Sequence, residues 1–185
     1  RNLTLGKAVN DTDYHGARVA FRALPSDSVT VDFAVDYSRD RTNGIYASDV
    51  SNRNRPRTTS LYYSLAGIDN RGDAKTYGAS LNVTWEINDS TTLASITGFR
   101  KTDQDLILEL SDQPVSLYTL FQDQAADQLS QEFQLNGTVT DALRYTAGLY
   151  YFSEDIDVNM TDATRANPAA AQTRFNKIFD VGVDS

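Results

Sequence analysis

The fold is decided by residues 29–37, which read Val-Thr-Val-Asp-Phe-Ala-Val-Asp-Tyr. Every second side chain from Val29 to Tyr37 is apolar, whereas the alternate positions carry the carboxylates of Asp32 and Asp36. Because successive side chains of a β-strand point to opposite faces, this stretch predicts a strand between an apolar and an aqueous environment. The alternation returns at residues 81–87, 129–135 and 143–151. Such repetition is typical of an all-β, antiparallel transmembrane β-barrel.

The strands are predicted to form a meander of hairpins. About seven strands are expected, at residues 14–24, 28–38, 76–87, 90–101, 127–136, 142–152 and 175–183. The turns within the pairs are short, and long polar segments at 39–75, 102–126 and 153–174 separate the pairs. Outer-membrane barrels have the same asymmetry, with short periplasmic turns and long extracellular loops. A strand of about 11 residues, tilted by about 40°, also rises about 25–28 Å, which suffices to cross the apolar layer.

Aromatic side chains are placed as the two interfacial girdles of a barrel require. At the loop ends of the predicted strands lie Tyr37, Tyr77, Phe99 and Tyr151, and near the turn ends lie Trp85 and Tyr145. The segment 90–101 is less regular, so its facing stays open. The strand pattern predicts that lipid contacts Val31, Phe33, Val35, Leu81, Val83, Trp85, Leu149 and Tyr151.

Composition excludes several classes of protein. The 185 residues are 40% hydrophobic, and no apolar run approaches the roughly 18 residues that a membrane helix requires. Cysteine is absent, which excludes disulfides and thiolate metal sites. The net charge of −8 makes nucleic acid an unsuitable partner, since phosphate recognition needs a basic surface.

Motifs for enzymatic or metal chemistry are not found. The run Asp155, Asp157, Asn159 opens like a calcium loop, but Met160 stands where such a loop needs glycine. A looser calcium site at Glu154, Asp155 and Asp157 is the alternative to a solvated acidic loop. His15 is the only histidine, and no nucleophile elbow or phosphate-binding glycine motif accompanies it. We therefore expect no enzymatic activity, no cofactor and no metal site.

Several segments resemble the barrel of TonB-dependent receptors of the iron-complex type. The resemblance lies in Thr-Leu-Ala-Ser-Ile-Thr-Gly-Phe-Arg at 92–100, Gln-Glu-Phe-Gln-Leu at 131–135 and Ala-Gly-Leu-Tyr-Tyr-Phe at 147–152, together with the acidic segment around Asp103, Asp105 and Asp112. Residues 18–36 also resemble a barrel hairpin of this family, so the likeness extends over about 14–152.

The resemblance implies a bacterial outer-membrane receptor. Members of the family enclose an N-terminal plug domain in a barrel of about 22 strands. They take up a scarce, bulky nutrient, such as a ferric siderophore, haem, cobalamin or oligosaccharide, with energy supplied by the TonB complex. Neither a plug domain nor a TonB box is recognisable in residues 1–185, so the chain is expected to be one part of the barrel domain. Outer-membrane lipid, the TonB complex and a small nutrient ligand such as a metal chelate are the expected partners.

The odd number of strands supports a fragment of a larger barrel, because bacterial single-chain barrels close with an even number. An open edge would leave backbone N–H and C=O groups without partners in hydrocarbon. The alternative is a complete eight-stranded barrel with residues 3–9 as an additional strand.

Charge in the long segments suggests where a ligand binds. The segment 39–75 is rich in bases, namely Arg39, Arg41, Arg53, Arg55, Arg57, Arg71 and Lys75, whereas 102–126 carries only acids. Arg53, Arg55 and Arg57 recur at every second residue, so their guanidinium groups would share one side of an extended chain and bind carboxylate or phosphate. With Tyr62 and Tyr63 nearby, these residues are the candidate ligand-binding site. Lipopolysaccharide phosphates would suit them too, and a solvated loop is the alternative.

Two other functions share part of this pattern. A passive outer-membrane porin has the same strands, girdles and loop asymmetry. A soluble extracellular β-sandwich that binds proteins or sugars also has alternating strands, but it buries their apolar faces between two sheets. A plug domain upstream would favour the receptor over the porin, and solubility without detergent would favour the sandwich.

Overall fold

The chain forms a single antiparallel sheet in which each strand pairs with the next strand in sequence. The computed structural model describes residues 1–44, 62–140, 142–164 and 175–176. The strands are β1 (Thr12–Ser26), β2 (Val29–Thr42), β3 (Arg71–Asn88), β4 (Thr91–Glu109), β5 (Tyr118–Thr140), β6 (Leu143–Thr164) and a short β7 (Phe175–Asn176). The predicted all-β meander of hairpins is therefore confirmed. The sheet is open, and the described residues include no helix long and apolar enough to cross a membrane.

The strands are longer than the sequence predicted. β4 continues to Glu109 and β5 begins at Tyr118, so the expected loop 102–126 is wrong over most of its length. Asp103 pairs with Ala125 and Asp105 pairs with Asp123 in the middle of that segment. Likewise β6 runs to Thr164 through the expected loop 153–174. The polar side chains of these segments suggested loops. A strand with polar side chains on both faces nevertheless forms backbone hydrogen bonds with its neighbours equally well.

The two-residue turns close the hairpins at one end of the sheet. Asp27 and Ser28 connect β1 to β2, and Asp89 and Ser90 connect β3 to β4. In the second turn the Asn88 side-chain oxygen accepts hydrogen bonds from the Ser90 amide (3.0 Å) and hydroxyl (2.9 Å), which is an Asx turn. Short turns and long connections thus lie at opposite ends, as predicted.

The N-terminal segment does not form an additional barrel strand. Asn2 makes isolated bridges to Lys7 and Ser64, and the residues between Asn2 and Lys7 form a turn. The eight-stranded alternative that used residues 3–9 is therefore wrong for this segment. The reason is that Asn2 turns the chain back on itself, because its side-chain oxygen accepts a hydrogen bond from the Leu5 amide at 2.9 Å.

Apolar burial is almost absent. Of the hydrophobic side chains in the described residues, only Ala34 and Ala66 are buried. Large apolar residues such as Phe33, Leu81 and Leu149 are exposed, the last by 76%. A water-soluble domain of this size buries a continuous core of such residues, and this sheet has no second sheet over either face in the described part of the chain.

Candidate functional site

The register sorts the side chains of the sheet onto two chemically different faces. Directly paired residues share a face, so Phe21, Phe33 and Leu81 lie in one row, and Ala23, Val31 and Val83 lie in the next. The same face continues across β4 to β6 with Leu93, Phe99, Leu129, Leu135, Phe133, Leu149 and Tyr151. The register also settles the facing of β4, because Leu93 pairs with Trp85 and Phe99 pairs with Ala79. We call this side the apolar face.

The opposite side, the polar face, carries the ion pairs of the central sheet. Arg22 donates two hydrogen bonds to Asp32, at 2.6 and 2.9 Å. Asp36 accepts a hydrogen bond from Arg18 at 3.3 Å, and the Arg100 guanidinium lies 3.7 Å from its other oxygen. Charges at the same depth as Phe33 therefore lie only on the side away from the apolar face, as the alternation predicted.

The distance from the turn to the last aromatic residue of the apolar face is the same on β2, β4 and β6. These aromatic residues are Tyr37, Phe99 and Tyr151, and no charged side chain lies on this face between any of them and the turn, although the β4 stretch also contains threonine and serine. The segments 29–37, 91–99 and 143–151 each contain nine residues. We call these segments and their partners on the other strands the apolar band. A transmembrane β-strand needs about 9–11 residues, so the length is sufficient.

Both edges of the apolar band cross the register rows obliquely. The row of directly paired residues that contains Tyr37 and Tyr77 reaches charged residues on the next three strands, namely Lys101, Asp127 and Asp155. The last apolar residues of β4 and β6 therefore lie in rows that are progressively closer to the turns. From β2 to β6 the boundary moves by four residues across four strand spacings. The turn-side edge moves by the same four residues. The row of paired residues that contains Val29 meets β6 at Ala147, whereas β6 begins four residues nearer the turn, at Leu143.

An offset of one residue per strand corresponds to a definite strand tilt. One residue advances about 3.3 Å and neighbouring strands lie about 4.8 Å apart, so the band edge is inclined by about 35° to the register rows. Nine residues at this tilt rise about 22 Å. Both values are close to the tilt and apolar height of outer-membrane barrels.

The predicted aromatic positions need one correction. Tyr37, Tyr77, Phe99 and Tyr151 lie in the middle of long strands and not at the loop ends. They nevertheless mark the loop-side edge of the apolar band, where the rings of Tyr37 and Tyr77 are 5.1 Å apart. The strands continue beyond them because the charged residues that follow still pair between strands.

The loop end of the sheet is held by a buried polar cluster, formed by Asn2, Ser64, Asn70, Glu109, Asp112 and Thr119. The Glu109 carboxylate accepts hydrogen bonds from the amides of Ser111 (3.0 Å) and Asp112 (2.8 Å) and from the hydroxyls of Ser111 and Ser116. Buried polar groups normally have such partners. The sequence placed Glu109 in the acidic loop 102–126, whereas the structure buries it at the end of β4, where it organises the β4–β5 connection.

Asp112 connects that organised segment to the residues that precede β3. Its carboxylate accepts hydrogen bonds from the Ser64 hydroxyl (2.7 Å) and the Leu65 amide (2.8 Å). Asp112 has a φ of 50°, a left-handed conformation that asparagine and aspartate tolerate better than most residues. No sequence motif indicated this cluster, because its members come from three segments, around residues 2, 64–70 and 109–119, that meet only in the folded sheet.

An ion pair lies on the apolar face just beyond the loop-side edge of the band. Arg39 donates hydrogen bonds through Nε (2.8 Å) and a terminal guanidinium nitrogen to the Asp73 carboxylate. This hydrogen bonding lowers the pKa of Asp73, partial burial opposes the shift, and the charges of Arg39, Lys75 and Arg41 reinforce it. The stabilisation that the pair contributes is therefore complete at neutral pH and is lost as the pH falls through the lowered pKa of Asp73.

The predicted ligand-binding residues are only partly placed. Arg53, Arg55 and Arg57 lie outside the described residues. Tyr62 and Tyr63 are described, and both rings are exposed, Tyr62 by 86%. The backbone carbonyl of Tyr62 accepts a hydrogen bond from the N-terminal amine of Arg1 at 2.8 Å, which places both tyrosines beside the buried polar cluster.

Two depressions lie on opposite faces of the described sheet. One is at the loop end and is lined by Asp13, Arg39, Arg41, Arg71 and Asp73 among others. The second is on the polar face at mid-sheet, where Arg18, Asp36 and Arg100 adjoin Tyr150 and Phe152. Across the described ranges no group of three or more metal-ligating side chains could hold a metal ion. Glu154 lies on the opposite face of β6 from Asp155 and Asp157, so the three carboxylates of the looser calcium site do not converge.

Comparison with family models, curated proteins and solved structures returned no match to this chain.

Proposed function

We propose that this chain forms part of the wall of a transmembrane β-barrel in the bacterial outer membrane, with the apolar face toward lipid and the polar face toward the interior. The observation that carries the proposal is the apolar band, whose two edges run parallel to each other and oblique to the register. A flat bilayer imposes such edges on tilted strands. A soluble sandwich has no physical reason to end the uncharged stretches of β2, β4 and β6 along such an oblique line.

The polar face has the composition that is expected of a barrel interior filled by water or by polar protein. At the depth of the band it carries two arginine-aspartate clusters, which would be costly against hydrocarbon. It also carries Gln128, whose side chain donates a hydrogen bond to Glu154. Both open edges of the sheet, β1 and most of β6, would be covered by further strands, so the chain would be one part of a larger barrel. The resemblance to TonB-dependent receptors implies about 22 strands for that barrel.

Within the outer membrane we propose the role of an energised receptor that takes up a bulky nutrient such as a ferric siderophore. This role rests on the resemblance of residues 92–100, 131–135 and 147–152 to TonB-dependent receptors. The organised loop end supports it, because a rigid barrel presents its ligand-binding groups on such segments. The buried polar cluster would hold Tyr62 and Tyr63 in place on the outer surface.

Cysteine accessibility tests the membrane assignment directly, since the chain has no cysteine of its own. Leu81→Cys lies at mid-band on the apolar face, and Ser80→Cys is its neighbour on the polar face. In membranes, a charged, water-soluble maleimide should label Ser80→Cys and leave Leu81→Cys unlabelled. Both variants should be labelled after unfolding in detergent and denaturant. Equal labelling of the two variants in intact membranes would contradict the proposed facing.

Energy dependence tests the receptor role against a passive porin. Cells with and without the protein would be given labelled ferric hydroxamate, ferric catecholate, haem, cobalamin and oligosaccharide in turn. We expect the protein to support accumulation of one of them, and a protonophore to abolish that accumulation. Uptake that persists with the protonophore, in proportion to the external concentration, would indicate a passive porin.

A further inference from the structure

Beyond the apolar band, the strands β4 to β6 continue toward the loop end, and the chemistry of their two faces changes there. The side of the apolar face becomes charged, with Lys101, Asp103, Asp105, Asp123, Asp127, Asp155 and Asp157. On the polar face, three successive rows of paired residues from β3 to β6 contain no charged side chain. These rows are Thr76, Thr102, Ala126 and Ile156, then Ala74, Gln104, Gln124 and Val158, then Gly72, Leu106, Gln122 and Met160. We call them the uncharged surface.

The uncharged surface combines apolar side chains with amides. Leu106, Val158 and Met160 are apolar, and the next row toward the loop end adds two further leucines, Leu108 and Leu120. Glutamines lie among them at positions 104, 122 and 124, and the amide of residue 122 donates a hydrogen bond to that of residue 124 at 3.4 Å. Because a primary amide has two N–H donors and a carbonyl acceptor, these glutamines offer hydrogen bonds without a net charge.

The sheet is concave on the side of the uncharged surface. Along β6 the polar-face residues at 154, 156, 158 and 160 are half-buried, whereas the alternate residues from Ser153 to Asn159 are exposed. Residues 121–124 of β5 show the same alternation. No second sheet covers either face in the described part of the chain, so the difference arises from curvature, which crowds the side chains on the inner side. The curvature has the sense expected of a barrel wall whose interior is the polar face.

In the proposed orientation the uncharged surface lies above the membrane. On β4 it extends from Thr102 to Leu106, which follow Phe99 by three and seven residues. At about 3.3 Å per residue and a tilt of about 35°, the backbones of these residues lie about 8–19 Å beyond the loop-side edge of the apolar band. The apolar side chains of the surface therefore face the entrance of the barrel and not the lipid.

Charged groups border the uncharged surface without neutralising a charge on it. The Arg100 guanidinium is already 3.7 Å from Asp36, and Glu154 accepts a hydrogen bond from Gln128. A charged ligand would lose hydration on the surface without gaining a partner. The border also has more negative than positive charge, which disfavours an anion. It consists of Arg100 and Glu154 toward the turns, Asp40 on β2 and Asp162 toward the loop end.

We propose that the uncharged surface binds the nutrient at the entrance of the barrel and selects a metal chelate without net charge. The inference rests on the proposed receptor role and narrows the class of nutrient. A chelate whose outer surface combines hydrocarbon with amide or carbonyl groups matches the leucine, valine and methionine side chains and the glutamines between them. An oligosaccharide would present hydroxyl groups to Leu106, Val158 and Met160, and these side chains cannot form hydrogen bonds with them.

The test measures equilibrium binding of iron chelates that differ in charge to outer membranes with and without the protein. The probes are an uncharged ferric trihydroxamate, a ferric trihydroxamate with an additional ammonium group, and an anionic ferric tricatecholate. Wild type should bind the uncharged chelate most tightly.

Gln124→Glu places a carboxylate in the middle row of the uncharged surface with little change of shape, and it keeps the acceptor of the Gln122 hydrogen bond. It should weaken binding of the uncharged chelate by about tenfold or more, because the ligand would desolvate the new charge. Asn159→Asp is the matched control. It makes the same change from amide to carboxylate at an exposed position on the opposite face of β6, and it should leave binding unchanged.

Several results would overturn the proposal. Tightest binding of the cationic or the anionic chelate would contradict selection of an uncharged ligand, and the anionic chelate is the one that Arg53, Arg55 and Arg57 would favour. Equal affinity of wild type and Gln124→Glu for the uncharged chelate would show that the ligand does not contact this surface, as when another part of the protein covers it. Binding of none of the three chelates would contradict the proposal as well. Protonophore-sensitive uptake of another nutrient would in each case still support the receptor role, so the two failures are distinguishable.

Discussion

Val83→Arg should destabilise the membrane-embedded protein by about 2–4 kcal/mol, the usual cost of an arginine on the lipid face of a barrel near the middle of the bilayer. Val83 lies on the apolar face within the band, between Val31 and Ser95 of the neighbouring strands. An arginine there has no carboxylate on its own face at this depth, and its guanidinium would have to reach an interface. Denaturant titration of the folding equilibrium in vesicles measures the loss.

Thr84→Arg is the control at the same depth. Thr84 faces the polar side, between Thr30 and Ala94, and an arginine there would lie near the carboxylates of Asp32 and Glu86. We expect a change within about 0.5 kcal/mol, as for an ordinary surface substitution. Similar losses for the two variants would mean that the faces do not differ in environment, and the membrane assignment would be wrong.

Glu109→Ala should destabilise the loop end by about 2–4 kcal/mol, because one buried donor and three half-buried donors lose their acceptor group. The Ser111 and Asp112 amides and the Ser111 and Ser116 hydroxyls all donate to this carboxylate. Hydrogen exchange measures the effect locally, and we expect the amides of Ser111 and Asp112 to lose protection while those of β2 and β3 retain it.

Glu86→Ala is the matched control, since Glu86 is an exposed glutamate near the turn end of β3. We expect no change in exchange at the loop end for this variant. Unchanged protection of Ser111 and Asp112 in Glu109→Ala would show that the connection is held by other contacts. In that case the organised platform proposed for Tyr62 and Tyr63 would lose its support.

The secondary structure of the central sheet was predictable because alternation has a local cause. In residues 29–37 every second side chain is apolar, because successive side chains of a strand point to opposite faces, and β2 contains this whole stretch. The strand ends were less predictable. Polar segments such as 102–109 look like loops, but in the structure they extend β4 far beyond the apolar band. Hydropathy reports the environment of a side chain, and it does not report whether the backbone continues to pair.

The candidate site, like the strands, was predictable only in part. The sequence identified a base-rich segment that includes Arg39, Arg41 and Arg71, but it assigned all three to a loop. Pairing between β2 and β3 brings residues about 30 positions apart onto one face, where they line the depression at the loop end of the sheet. The burial of Glu109 in the predicted loop 102–126 was not predictable, because it depends on segments distant in the sequence, such as the one that contains Asn70.

The sequence by itself determined that this chain forms alternating antiparallel strands with one apolar side, since the period of two is a property of each strand alone. Only the tertiary structure decided the register, and with it the oblique edges of the apolar band and the buried polar cluster. The physical reason is that a one-residue slip of a strand moves every side chain to the other face. The register therefore depends on all the strands together, and no single segment encodes it.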